Sequence, residues 1–484
     1  MKREDILKVY DAGPEAVVSL IRGLLDAHQK QINELTGTIE KLQKRVEELE
    51  FQVKKNSHNS NKPPSSDGLR KQRGKKTRKK RKKRPGGQEG HQGHQLRMSN
   101  NPDHIEIHDV KTCHGCQKSL EGTKANGYDR RQVFDIPEME LEATEHQAVI
   151  KECPFCGAAN KAGFPEGITR PTQYGKRIKG LAVYLNQYQL LPYERLVDFM
   201  RDIFGFTLSK GTVYNFNKQG YDLLKPVEEK TRELLKKSSI LHSDETGISC
   251  VKTLQWLHVA STSRLTYYLI HAKRGKDAMD AMGILQDYEG RVIHDFWKPY
   301  FRYNIRHGIC NAHAIRELTF IHEEYKQKWA EEMIGLLLRI KKKVDCCTMS
   351  LHASTMQIFE KDYDRIVKKG FLKNPRLPGD DHKRGRKKQT KARNLLSRLE
   401  VYKNEILAFM FDISVPFDNN QAERDLRMVK VQQKISGCFR SEEGARIFCR
   451  IRGYISTVRK NGINVFDALQ GIFEERPFSP NFAE

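Results

Sequence analysis

Two Cys-x-x-Cys knuckles, Cys113-His114-Gly115-Cys116 and Cys153-Pro154-Phe155-Cys156, most constrain what this 484-residue chain can become. The 36 residues between them (117–152) let both tight turns offer their sulfurs to one tetrahedral Zn²⁺. Four protein ligands close the coordination sphere, so one structural zinc ion is expected within a zinc-binding domain over residues 100–170. A thioredoxin-like redox motif needs only one such pair. Disulfides are disfavoured because Met1-Lys2-Arg3-Glu4-Asp5 leads into no apolar secretory signal, which implies a reducing compartment. Cys250, Cys310, Cys346, Cys347, Cys438 and Cys449 lack this spacing and are expected to be buried apolar residues.

The segment before the knuckles divides the chain. From Asn56 to Gly68 there is almost nothing to bury, and a basic run follows, with 12 Lys or Arg among the 15 residues Arg70 to Arg84 and no acid. Residues 56–99 are therefore expected to be a disordered basic linker. Its Arg78, Lys79, Lys80, Arg81, Lys82, Lys83 and Arg84 would lie along a DNA backbone without reading its sequence. Lys and Arg number 86 against 61 Asp and Glu, a net charge of +25, and taking away the twelve charges of the run still leaves +13. Such a charge favours a polyanionic partner, because each neutralised phosphate releases condensed counterions. No stretch of about 20 apolar residues occurs, so no membrane-spanning helix is expected.

Upstream, Ile32, Leu35, Ile39, Leu42, Val46, Leu49 and Val53 alternate by three and four, with β-branched residues at a and Leu at d. This pattern predicts a parallel two-stranded coiled coil, so residues 1–55 read as a homodimerisation helix. Downstream, residues 171–237 turn helical: one helix opens at Gly180, a second runs from Pro192 to about Phe204, and Ser209 can cap a third. Helix, turn and capped helix resemble a helix-turn-helix DNA reader, with Lys210, Thr212 and Tyr214 as its DNA-facing residues.

The second half begins with three β-rich stretches, Ile240 to Thr246, Leu254 to Ser261 and Leu265 to His271. A helix near Lys276 to Leu285 and a fourth strand, Arg291 to Asp295, come next. Three strands, a helix and a fourth strand open an RNase H-like α/β fold, in which the first and fourth strands lie side by side. That pairing would bring Asp244 to Asp295. Two neighbouring carboxylates repel and are costly to bury unpaired, so a cation compensates them, and oxygen-only ligands suit Mg²⁺ or Mn²⁺. A two-metal site, with ions ~4 Å apart, needs a third carboxylate. Glu423 is the best candidate, in the first turns of a helix started by Pro416-Phe417-Asp418-Asn419-Asn420. Arg424, Arg427, Lys430 and Lys434 follow on that helix as candidate phosphate ligands. His242 and His294 flank the acids as neighbours that orient them or pack in the core. Cys310-x-x-His313 offers only two metal ligands and reads as a helix start.

These residues resemble the insertion sequence 66 family of bacterial DDE transposases over nearly the whole length. The matching pieces include the N-terminal coiled coil, Asn56 to Pro64, Gly86-Gly87-Gln88-Glu89-Gly90-His91, both cysteine knuckles and Tyr188 to Arg195. They continue with His242-Ser243-Asp244-Glu245-Thr246, His294-Asp295-Phe296-Trp297-Lys298-Pro299-Tyr300, Cys310-Asn311-Ala312-His313 and Asp418 to Arg424. The resemblance implies that Asp244, Asp295 and Glu423 are the DDE triad, holding two Mg²⁺ or Mn²⁺ ions. It also implies a helical insertion, here 317–414, between core halves 238–316 and 415–484. The implied activity is binding of terminal inverted repeats in double-stranded DNA, strand cleavage, and transfer of the 3′ hydroxyl to target DNA, with accessory proteins as possible helpers. The expected location is the bacterial cytoplasm, at the nucleoid. Two rival readings stand beside it: a non-catalytic zinc-containing DNA-binding regulator derived from a transposase, and an RNA-processing nuclease of RNase H-like fold.

Overall fold

Residues 3–56, 59–60, 96–376 and 389–481 are described by a computed structural model. The expected DNA arm Arg78 to Arg84, and the basic stretch 382–388 inside the insertion, lie outside the described residues. The protein is a mixed α/β chain of two compact units, one of Met1–Arg70, Thr172–Leu196 and Lys210–Glu484, the other of Lys71–Pro171 and Val197–Ser209.

Helix α1 spans Arg3–Asp11 and α2 spans Pro14–Val53. Gly13, at φ 102°, breaks them apart in a conformation other residues resist, and Pro14 opens α2 where its missing N–H costs nothing. The seam residues Ile32, Leu35, Ile39, Leu42, Val46, Leu49 and Val53 are all exposed, by 46% or more. Strands β1 (Ile150–Glu152) and β2 (Ala159–Lys161) form a short antiparallel ladder around the second knuckle. Then come α3 (Lys176–Val183), a π-turn at Tyr184–Tyr188, α4 (Tyr193–Phe204), α5 (Lys210–Leu223) and α6 (Lys225–Lys236). The π-turn releases carbonyls from the regular ladder, and buried Arg452 donates to two of them, at Gln187 (3.2 Å) and Tyr188 (3.3 Å).

Strands β3 (Ile240–Cys250), β4 (Thr253–Ser261) and β5 (Thr266–His271) form an antiparallel meander. The two-residue turn Val251-Lys252 joins β3 to β4 with φ of 50° and 59°, the left-handed pair that matches strand twist. Helix α7 covers Lys276–Met282, ending sooner than the expected Leu285 because Gly283 takes a left-handed cap at φ 65°. Strands β6 (Arg291–His294) and β7 (Arg306–Ile309) add in parallel, giving the order β5-β4-β3-β6-β7.

Period-two alternation splits the sheet residues between two cores. Ile248, Cys250, Leu257, Val259 and Tyr268 pack with Ala422, Leu426 and Phe448. Leu241, Ala260, Tyr267 and Val292 pack with Leu235, Met279 and Tyr300. After β7 come α8 (Asn311–Tyr325), α9 (Lys328–Val344), α10 (Ala353–Lys373), α11 (Lys391–Val401), and the short α12 (Lys403–Ile406) and α13 (Ala408–Phe411). These helices share one core centred on Trp329, Leu336, Tyr363 and Leu396. Helices α14 (Asn420–Ser436), α15 (Glu442–Lys460) and α16 (Val465–Phe473) complete the chain.

Candidate active site

The parallel ladder between β3 and β6 runs Ile240↔Arg291, Leu241↔Val292, His242↔Ile293. Asp244 lies two residues past His242 on β3, and Asp295 follows directly after the end of β6 at His294. Burial pushes the Asp244 carboxyl well above the ordinary carboxylate range, and the charges of Glu245, Asp295 and Glu423 push it further. Asp244 therefore feels both other acids singled out in the sequence. Backbone N–H groups hold two of these carboxylates in place: Glu245 donates to Asp244 Oδ1 at 2.9 Å, and Trp297 to Asp295 Oδ1 at 2.9 Å.

On the opposite face of β3, Glu245 is buried, and sequence reasoning did not single it out. Arg274 reaches its Oε1 through Nε (3.0 Å) and Nη2 (2.6 Å), while the Tyr300 hydroxyl donates to Oε2 at 2.8 Å. Burial is the main cause that lifts Glu245 to about 7, and the Asp295 charge adds to it. The Arg274 guanidinium lies 4.2 Å from the Trp297 ring centroid and 4.9 Å from that of Trp256. This network ties the loop that carries Asp295 to the strand that carries Asp244. The signal in the sequence was the alternation of β3, which sends Glu245 and Asp244 to opposite faces.

Glu423 sits in the first turn of α14. Asn419, just before that helix, laces it to the sheet: its Nδ2 donates to the Ser243 carbonyl (2.8 Å), its Oδ1 meets His242 Nδ1 (2.8 Å), and its N–H points at Cys310 Sγ (3.1 Å). Burial lowers the His242 pKa. His294 is fully buried, stacked on Tyr300 at 4.4 Å and 3.0 Å from His307 Nδ1, and burial takes it down to about 3. Its contacts are those of a packed core residue. Glu423 Oε1 lies 3.8 Å from His313 Nε2 and 3.6 Å from Arg316 Nη1. Among the described residues, the set of three metal-ligand side chains with atoms within 4.8 Å of one another is Cys310, His313 and Glu423. Asp244, Asp295 and Glu423 are electrostatic neighbours but not a set at that spacing.

The expected DNA contacts divide. Arg424, Arg427 and Lys434 are exposed on α14, with Arg424 bonded to Gln421 at 2.9 Å. Lys430 is half-buried and donates to the Gly247 carbonyl, and desolvation lowers its pKa. Lys210 pairs with Glu194 at 3.0 Å, Tyr214 donates to Glu443 at 2.7 Å, and Thr212 is half-buried.

Each cysteine knuckle is formed in the same way. Cys113 N–H bonds the Lys118 carbonyl and Gln117 N–H the Cys113 carbonyl; Cys153 with Ala158 and Gly157 repeats this, all at 2.9 Å. Backbone N–H groups of Cys116 and Gly115 lower the Cys113 pKa, and those of Phe155 and Cys156 lower that of Cys153. A site that stabilises thiolates suits zinc. The four sulfurs do not form a set within 4.8 Å. Of the other cysteines, Cys250, Cys310 and Cys449 are buried as expected, whereas Cys346 is exposed because it falls in the turn after α9.

A family model described as Transposase IS66 family matches residues 171–447. The chain belongs to that family. A second model, the zinc-finger binding domain of transposase IS66, matches residues 111–157 and so spans all four knuckle cysteines. A third, a family of unknown function, matches residues 16–97. No curated protein matches the chain. This IS66-family member is thus a transposase with a zinc-finger domain ahead of its transposase domain, and DNA is the partner those domains point to. Among the described residues no helix is long and apolar enough to cross a membrane.

Proposed function

We propose that the chain binds the terminal inverted repeats of its element and catalyses metal-dependent DNA cleavage and strand transfer through Asp244, Asp295 and Glu423. The observation that supports this reading is that buried Asp244, on the strand paired with β6, feels the charges of both Asp295 and Glu423. The strand order β5-β4-β3-β6-β7, with the helices α8 to α13 between β7 and the Glu423 helix, supports an RNase H-like core interrupted by an insertion. Three carboxylates suit two Mg²⁺ or Mn²⁺ ions, which when bound activate the attacking oxygen and stabilise the leaving one. The protein's share is positioning. Asn419 fixes the start of the Glu423 helix, Arg274 and Trp297 fix the Asp295 loop, and Arg424 and Arg427 offer exposed cations for phosphates.

Cys113, Cys116, Cys153 and Cys156 would hold one structural zinc by closing the two preformed knuckles on it. The exposed seam of α2 supports pairing with a second copy as a coiled coil, because seven apolar residues at heptad spacing otherwise face water. Further parts of the proposal are the division into the seven segments given above, the basic arm and α5 as DNA contacts, accessory proteins, and action at the nucleoid in the cytoplasm.

The test uses the full chain on a duplex carrying the element's inverted repeat. Asp244→Asn, Asp295→Asn and Glu423→Gln should each keep DNA binding and lose cleavage with Mg²⁺ or Mn²⁺ by at least about a thousandfold. Cleavage at the native rate by any one would remove that acid from the metal set. Binding without cleavage by the native chain would favour the non-catalytic regulator, and cleavage of RNA hybrids alone would favour the nuclease.

A further inference from the structure

We propose that Cys310, His313 and Glu423 form a second kind of metal site, for a divalent ion of the zinc class. It differs in chemistry from the magnesium-type site but shares one of its carboxylates. Cys310 precedes the first residue of α8, and His313 follows it by three residues, so one helical turn presents sulfur and imidazole together. Glu423 reaches them from α14, and one donor atom from each residue lies within 4.8 Å of the others. Tetrahedral zinc needs its ligands about 3.3–3.8 Å apart, so a side-chain contraction of about 1 Å closes the set.

The surrounding structure holds the donors ready. Asn311 N–H bonds the Phe417 carbonyl (3.0 Å), its Nδ2 bonds the Ile406 carbonyl (3.0 Å), and Asn419 N–H meets Cys310 Sγ, which fastens the start of α8 to the start of α14. Two polar atoms of these side chains, His313 Nδ1 and Glu423 Oε1, are buried without a hydrogen-bond partner. Buried polar atoms are seldom left so, and a metal ion is one way to satisfy a carboxylate oxygen there. Near that oxygen are the His313 imidazole at 3.8 Å and the Arg316 guanidinium at 3.6 Å, both beyond hydrogen-bond length. Sulfur and imidazole select zinc-class ions over magnesium, and three protein donors leave a fourth position for solvent.

Equilibrium dialysis of the full chain against Zn²⁺ alone, with metal counted per chain, tests the site. The native chain should hold one more tightly bound equivalent than Cys310→Ser and one more than His313→Gln, each variant checked for native circular dichroism. The knuckle cysteines are present in all three proteins, so their share cancels. Should one variant fail to fold, the other carries the comparison. Equal zinc content in the native chain and the folded variants would overturn the site.

One consequence rests on the function proposed above. Glu423 drawn to zinc is withdrawn from Asp244 and Asp295, so added Zn²⁺ should reduce Mg²⁺-supported cleavage more in the native chain than in Cys310→Ser. Equal inhibition of the two would overturn the competition. Cleavage by the native chain with Mg²⁺ alone tests the function itself, and the dialysis tests the site, so the two can fail separately.

Discussion

The knuckle region and the α/β body are built on opposite principles. From residue 96 to residue 171 no side chain is buried; Val133 is 93% exposed and Phe155 is 96% exposed. In the body, Trp329 is 1% exposed at the centre of a core that joins six helices. A segment without a core cannot offset its conformational entropy by burying apolar surface, so its order depends on ligation. The body orders itself by packing, and for that reason it can hold several carboxylates close together. Under the proposed function the difference teaches that the zinc and the catalytic ions would play unlike parts: one would build structure, while the others would exploit structure already built.

Removing zinc should separate the regions most sharply. Chelation should strip hydrogen-exchange protection from 111–161, a loss on the order of 10 kcal/mol in comparable zinc domains, and leave β3 to β7 unchanged. Parallel loss in both regions would end the contrast. Next in size, Trp329→Ala should lower body stability by about 3–5 kcal/mol in denaturant unfolding, whereas Phe155→Ala should stay within about 0.5 kcal/mol. A large loss at Phe155 would reveal a core in the knuckle region.

Acid gives the smallest effect. His258 on β4 is 1% exposed, and burial lowers its pKa to about 4. Below the ordinary value of 6.5 only the unfolded chain takes up this proton, so stability falls as pH drops from 6.5 until the folded state protonates near 4. The share of His258 at pH 4 is on the order of 3 kcal/mol. Unfolding at pH 7, 5 and 4 should show this loss, with a flatter profile in His258→Gln; identical pH profiles would refute the assignment.

Much of the body was legible in the residues. The β-rich stretches became β3 to β6, and Glu423 fell in the first turn of a helix, because strand alternation and helix-start residues are local signals. The short strand β7 carried no such signal. The Arg274–Glu245–Tyr300 network was also hidden, since its members stand 29 and 55 residues apart and meet only when the sheet closes. Cys310 and His313 were visible as a pair, but their third partner is more than a hundred residues away.

By itself the sequence determined where thiols, acids and basic runs lie, which segments alternate as strands, and that the chain seeks a polyanion. These follow from residue chemistry and short-range periodicity. Only the tertiary structure decided which acids are electrostatic neighbours of Asp244, that Glu423 lies beside Cys310 and His313, and that Lys430 bonds to the Gly247 carbonyl. Long-range pairing depends on sheet register and on helices packing across it, and no local pattern records where such partners come to rest.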